Sequence, residues 1–177
     1  MLRRLRNPAR PALPAATLYL ALMARARATV FYRHWCVPDT IDGRFDLVAL
    51  HAFLVFQALR GQGAAAQELG RNLANSIFTG FDEALRELGI SDFGMSRRIR
   101  NMANAFYGRI DSYGSASSLA DMAMAVQRNL YRGDAARRRE AEEVAAYMTE
   151  ARASLTRGLD ALLEGKPDFG PLPHLDR

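Results

Sequence analysis

Apolar residues in this chain recur at three- and four-residue intervals through each long segment, the period of a helix face. The most apolar stretch is Phe45 to Leu59, FDLVALHAFLVFQAL, interrupted only by Asp46, His51 and Gln57. Phe45, Val48, Ala49, Ala52, Phe53, Phe56 and Leu59 share one helical side, and Leu47, Leu50, Leu54 and Val55 cover the other. A helix apolar nearly all round is central in a bundle or lies in a membrane. A span needs about 20 apolar residues, and shorter runs are core helices. The pattern predicts a buried central helix over 44–60 with the other helices packed around it.

The remaining segments each carry one stripe. Ala15 to about Trp35 predicts a first helix with Tyr19, Leu22, Met23, Ala26, Val30 and Phe31 on one side. Cys36 to Gly43 is a loop punctuated by Pro38, and Asp42 is the expected N-cap of the central helix, its carboxylate facing the positive helix end. Leu69, Leu73, Ile77, Phe81, Leu85 and Leu88 mark a helix over about 64–88; Ile99, Met102, Phe106, Ile110 and Tyr113 another; Leu119, Met122, Val126 and Leu130 a third. Asp134 is expected to cap the last long helix, with Val144, Met148, Ala151, Leu155, Leu159 and Leu162 as its stripe. No β-branched alternation and no Asn-Gly or Asp-Gly hairpin signals a strand. The expected fold is all-α: a single-domain helical bundle of about six helices, with a basic arm over 1–14, the helical domain over 15–165 and an irregular tail over 166–177.

Composition adds two constraints. One cysteine, Cys36, rules out an internal disulfide and a cysteine-based zinc site. Charge is unevenly placed: seven of the 24 basic residues, all arginine, precede the first acid, Asp39, leaving 17 against all 19 acids beyond it. A basic arm on a near-neutral body points to an anionic partner or to a solvated terminus. MLRRLR has the character of a signal n-region, and an Arg-rich, acid-free start is similar to a transit peptide. Pro8, Pro11 and Pro14 interrupt the approach, however, and Arg25 and Arg27 follow the apolar run at once, so the segment is expected to belong to the mature protein.

Candidate chemistry is sparse. Asp39, Asp42, Gly43 and Asp46 fail the calcium-loop spacing, since position 3 is Ile41 and position 12 is Leu50; capping and an ion pair with Arg44 account for them better. His51 reads as a hydrogen-bonded core histidine, and no second histidine or Glu-x-x-His motif completes a metal site. Neither a phosphate loop nor a nucleophile elbow occurs. Arg97, Arg98 and Arg100 begin a helix where positive charge opposes the helix dipole. They either pair with Asp82, Glu83, Glu87 or Asp92 or form a docking patch, with Arg97, Arg100, Asn101, Asn104 and Asp111 away from the core and Arg98 and Arg109 on its flank. Phe31, Tyr32 and Trp35 either pack the core or anchor a partner.

Three stretches in order carry a resemblance. Phe31-Tyr32 followed by VPDTIDGRFDLVALH (37–51), then FDEALRELG (81–89) with Asp92 and the Arg-rich helix start, then MANAFYGR (102–109), resemble the signature of the ubiquinol–cytochrome c chaperone family over residues 17 to 165. The resemblance implies an all-α, non-enzymatic assembly factor for the cytochrome bc1 complex that needs no cofactor and holds newly made cytochrome b. Mitochondrial members carry a long N-terminal extension and work with a small partner protein at the ribosome; this chain resembles a short bacterial member. The expected location is the cytoplasm, peripheral at the inner membrane, or the mitochondrial matrix in a eukaryote.

The groove beside the 37–44 loop is the expected client site, and the arginine arm the expected contact for a ribosome or an anionic membrane surface. Residues expected to meet a client or partner are Tyr32, Trp35, Asp39, Asp42, Arg44, His51, Arg97, Arg98, Arg100, Tyr107 and Arg109. The alternative is a basic RNA- or ribosome-binding module using the arm and the Arg97–Arg100 helix.

Overall fold

A computed structural model describes residues 13–87 and 92–173, with side chains except those of 92–96. Arg3, Arg4, Arg6 and Arg10 of the arm lie outside the described residues, as does His174. The order is α1 (Leu13–Ala26), α2 (Thr29–Arg33), α3 (Ile41–Leu59), α4 (Gly63–Glu87), α5 (Asp92–Gly114), α6 (Leu119–Leu130), a single 3-10 turn (Ala135–Arg137), α7 (Arg138–Arg157) and α8 (Leu159–Leu163). Among the described residues there is no strand, and the six long helices are those the periodicity predicts.

The central helix is α3. Thirteen of its nineteen residues are buried, and α1, α4, α5, α6 and α7 all pack on it. It begins three residues before the expected 44 because Thr40, not Asp42, is its N-cap: Thr40 Oγ1 accepts the Gly43 N–H at 3.1 Å. Asp42 sits in the first turn instead, where its charge still favours the helix end. Gly43 is required there, since a Cβ would lie 2.0 Å from the Pro38 carbonyl oxygen.

Amphipathic stripes dock the other helices. Ala15, Leu18, Leu22 and Ala26 of α1, and Ala66, Leu69, Leu73 and Ile77 of α4, are buried toward each other and toward α3. Each fully buried leucine contributes about 1.5–3 kcal/mol of transfer free energy. α6 and α7 form a hairpin whose facing side chains include Ala123, Val126, Ala141, Val144 and Ala145, small enough for close approach. α6 opens with a capping box: Ser118 Oγ accepts the Asp121 N–H, and Asp121 accepts the Ser118 N–H. Ser118→Ala is expected to cost about 1 kcal/mol, read as a lower urea midpoint with unchanged slope.

Three boundaries differ from the sequence reading. The first helix is two, because Ala28 is extended (φ −60°, ψ 132°) and Arg27 ends α1. Asp134 caps the 3-10 turn through the Ala136 N–H, and α7 starts only at Arg138. Gly158 separates α7 from α8, so Leu159 and Leu162 belong to a separate turn. The tail is irregular but docked: Phe169 is buried against His51, Arg25 stacks over the Phe169 ring and donates to the Gly170 carbonyl, and Ser154 donates to Asp168.

Candidate functional site

The predicted site residues fall in three places. At the N-terminal end of α3, Arg44 pairs with Asp39 at 2.7 Å, both side chains exposed, and the hydrogen bond to Arg44 holds the Asp39 carboxyl below the usual range. Asp42 is 82% exposed and lies 3.8 Å from Arg132. Tyr32 is half-buried, its hydroxyl donating to the Ala26 carbonyl.

In the core, Trp35 and His51 bear out the core reading of each and correct their place among the expected partner contacts: both are buried. Trp35 Nε1 donates to Glu143, and its ring packs on Phe31 and Tyr147. His51 Nδ1 lies 2.7 Å from the Leu47 carbonyl, which can only accept, so Nδ1 carries the proton and Nε2 accepts from the Tyr147 hydroxyl at 2.9 Å. Burial pushes the His51 pKa down to about 3, keeping the ring neutral.

On α5, Arg97, Arg98, Arg100 and Tyr107 are exposed. Asp82 pairs with Arg86. None of the three arginines at 97–100 has an ion-pair partner among the described residues, and the Asp92 side chain is outside them. Arg109 instead turns inward, pairs with Asp46 and lies 5.0 Å over the Phe45 ring.

In the sequence Asp46 showed as an interruption in an apolar run and as one acid of a failed calcium-loop pattern. It is fully buried and held by two cations from different elements: Arg109 of α5, and Arg132 after α6, whose Nη1 is 2.7 Å from the second carboxylate oxygen as an ion pair rather than an aligned hydrogen bond. Burial pushes the Asp46 carboxyl up, and Arg109 and Arg132 pull it back. Arg132 takes a left-handed backbone (φ 57°). A lone carboxylate inside the most apolar helix was the signal, because a buried charge needs a partner.

Concave surface gathers at the other end of α3. A cleft of about 910 Å³ is lined by Phe53, Phe56 and Leu59 of α3, by Gly63, Ala66 and Gly70 of α4, and by Ile110 and Gly114 of α5. A second, of about 370 Å³, shares Phe53 and reaches Leu119 and Met122 of α6 and Thr149 of α7. A third, of about 530 Å³, shares Gln57 with the first and Thr149 and Arg152 with the second. The three lie around the C-terminal half of α3, and the first, the largest of them, is the trough. Their lining mixes aromatic and aliphatic side chains with small residues and with Gln57, Arg60, Asp111, Glu150 and Arg152, and Leu119 is 54% exposed beside the second. Sequence reasoning placed Phe53 and Leu59 in the core, where they are, and did not foresee the concave surface at the end of α3 beside them. Among the described residues no three His, Cys, Asp or Glu side chains gather as metal ligands, and no helix is long and apolar enough to cross a membrane.

Residues 33–169, more than half of the sequence, match the family model described as ubiquinol-cytochrome C chaperone. The chain belongs to the ubiquinol-cytochrome C chaperone family. It is 25% identical over 166 residues to the ubiquinol-cytochrome-c reductase complex assembly factor 1 of Xenopus laevis, covering 92% of this chain and 83% of that one. Its fold matches the crystal structure of the Cbp3 homolog from Brucella abortus with a TM-score of 0.80 and 33% identity over 89% of each chain. The resemblance read from the three sequence stretches is thus the family's, and a chaperone's role is non-enzymatic.

Proposed function

We propose that this chaperone assists assembly of the ubiquinol–cytochrome c reductase (bc1) complex by holding newly made cytochrome b, and that the trough around the C-terminal half of α3 is the client's seat. The observation that carries the seat is the cleft between α4 and α5 at the end of α3, where Phe56 is part-exposed and the buried Phe53 and Leu59 contribute their edges. An unassembled membrane subunit exposes apolar segments that water does not solvate, and a concave apolar surface covers them. The loop at 37–44 lies at the opposite end of α3 and carries the exposed Asp39–Arg44 pair with Ile41 at 69% exposure. It is the second candidate for client contact. A place at the cytoplasmic or matrix side of the membrane fits this role.

Gly70→Leu separates the two faces. A Cβ at Gly70 would lie 3.8 Å from Leu59 Cδ1 and 3.9 Å from Phe56 Cδ1, ordinary contacts, so the new side chain fills the cleft without displacing backbone. In a host deleted for the gene, membrane cytochrome b by redox difference spectra and quinol–cytochrome c reductase activity are expected to fall and to return with the wild-type gene. Gly70→Leu is expected to restore less than about a fifth, while staying folded by circular dichroism. Normal cytochrome b in the deletion strain sinks the assembly role. Full rescue by Gly70→Leu sinks the trough alone, and loss of rescue by Asp39→Ala/Arg44→Ala then moves the seat to the 37–44 loop.

A further inference from the structure

We propose that the solvent face of α5 bearing Arg97, Arg98 and Arg100 docks an acidic helical segment of a partner protein. This goes beyond the client reading, since neither the trough nor cytochrome b enters it. At helical spacing, Arg97, Arg100, Asn101, Asn104 and Tyr107 line one side, with Arg98 on its flank, and all are exposed. The opposite side holds buried Phe106 and Tyr113. No carboxylate among the described residues pairs with the three arginines, and no other described run of the chain puts three unpaired arginines within four positions. Arg97 to Arg100 are the sixth to ninth residues of α5, past the first turn where the helix dipole acts, so the dipole neither favours nor explains this run of charge. Guanidinium forks match carboxylates bidentately. Tyr107 adds an amphipathic anchor: it is 49% exposed, its ring is fixed on Phe78 and Phe106, and its hydroxyl is free to reach a partner.

The extent of the patch selects the partner. From Arg97 to Tyr107 is about 15 Å at helical rise, two to three turns. Asp111 closes the stripe on the same side, and the last turns of α4, which lead into α5, expose Glu83 and Glu87. The positive field is therefore local, and salt screens it beyond about 8–10 Å. RNA and an anionic bilayer reward an extended basic surface and would meet these acids as well. A short helix with Asp or Glu at i, i+3 or i+4 meets only the arginines.

The test places the photo-cross-linker benzoylphenylalanine at Asn104 of the full chain, in a host lacking the wild-type gene, and sequences the cross-linked peptide by mass spectrometry. The expected product is one protein joined through an acidic helical segment, with yield lowered at least tenfold in R97Q/R98Q/R100Q of unchanged circular dichroism. Charge reversal, R97E/R98E/R100E with lysines replacing the acids of the captured segment, is expected to restore it. Cross-links to RNA, to phospholipid or to a neutral or basic segment, an undiminished yield in the triple variant, or no product from the folded protein would overturn the proposal.

Discussion

Asp46→Ala is expected to lower folding stability by about 3–5 kcal/mol, the cost of leaving a buried cation without its counter-charge. Against a total of about 5–15 kcal/mol for a domain, that is enough to unfold a substantial share of the molecules. The structure sets where in the range the loss falls. Asp46 has no exposed surface, and the Arg109 side chain is only 18% exposed and pinned over Phe45, so Arg109 cannot turn to water when its partner is lost. Arg132 is 49% exposed, and solvent screens its share. Replacing the charged pair together, Asp46→Leu with Arg109→Met, is expected to recover most of the loss, because an apolar exchange removes the desolvation cost along with the attraction. Arg132→Gly loses the outer ion pair but relieves the left-handed φ of 57°, and these two changes should nearly cancel. Urea unfolding of the four proteins decides it. A loss below about 1 kcal/mol for Asp46→Ala, or no recovery in the double variant, would mean the carboxylate is already hydrated in the native state.

The same residue shows what the sequence made legible and what it did not. The six long helices and the central position of α3 follow from period and composition alone, because burial of an all-round apolar helix admits few solutions. Asp46, in contrast, looked like a break in that helix. Its partners are 63 residues away at Arg109 and beyond α6 at Arg132, and nothing local announces a long-range ion pair. His51 was readable as a core histidine from its apolar neighbours, yet the Tyr147 hydroxyl that completes it comes from 96 residues on. Trp35 had two open readings, partner or core, and tertiary packing on Tyr147 and Glu143 settled it for the core. The trough escaped for a related reason. Phe53 and Phe56 carry the same signal whether a neighbouring helix covers them or leaves a gap, and the gap depends on how α4 and α5 diverge around the end of α3. The exposed face of α5 was visible in advance, since helical phase assigns Arg97, Arg100 and Asn104 to the side opposite Phe106.

His51 makes the fold sensitive to mild acid. Its pKa is about 3 in the folded chain, lowered first by burial, with Arg25 adding in the same direction and the Leu47 carbonyl opposing, against 6.5 for an unperturbed histidine. The unfolded chain therefore binds a proton that the native state refuses, and stability falls as pH drops from about 6.5 toward 3. The slope approaches about 1.4 kcal/mol per pH unit, for a total on the order of 4–5 kcal/mol across the window. Other shifted groups act elsewhere. Asp39, Asp121, Glu140 and Asp168 have lowered pKa values, held chiefly by side-chain hydrogen bonds, so their stabilisation is lost only as pH falls through the carboxylate range. Asp46, raised chiefly by burial, works with the opposite sign there. Between pH 6.5 and 5 the histidine thus dominates. His51→Gln keeps a polar group near Tyr147 and Leu47 without a titrating ring. It is expected to be less stable than wild type at pH 7 but nearly flat in urea midpoint from pH 7 to 5, where wild type declines steadily. Parallel declines in both proteins would show that the protonated ring finds water or a counter-charge in the native core and that the acid sensitivity lies in other groups.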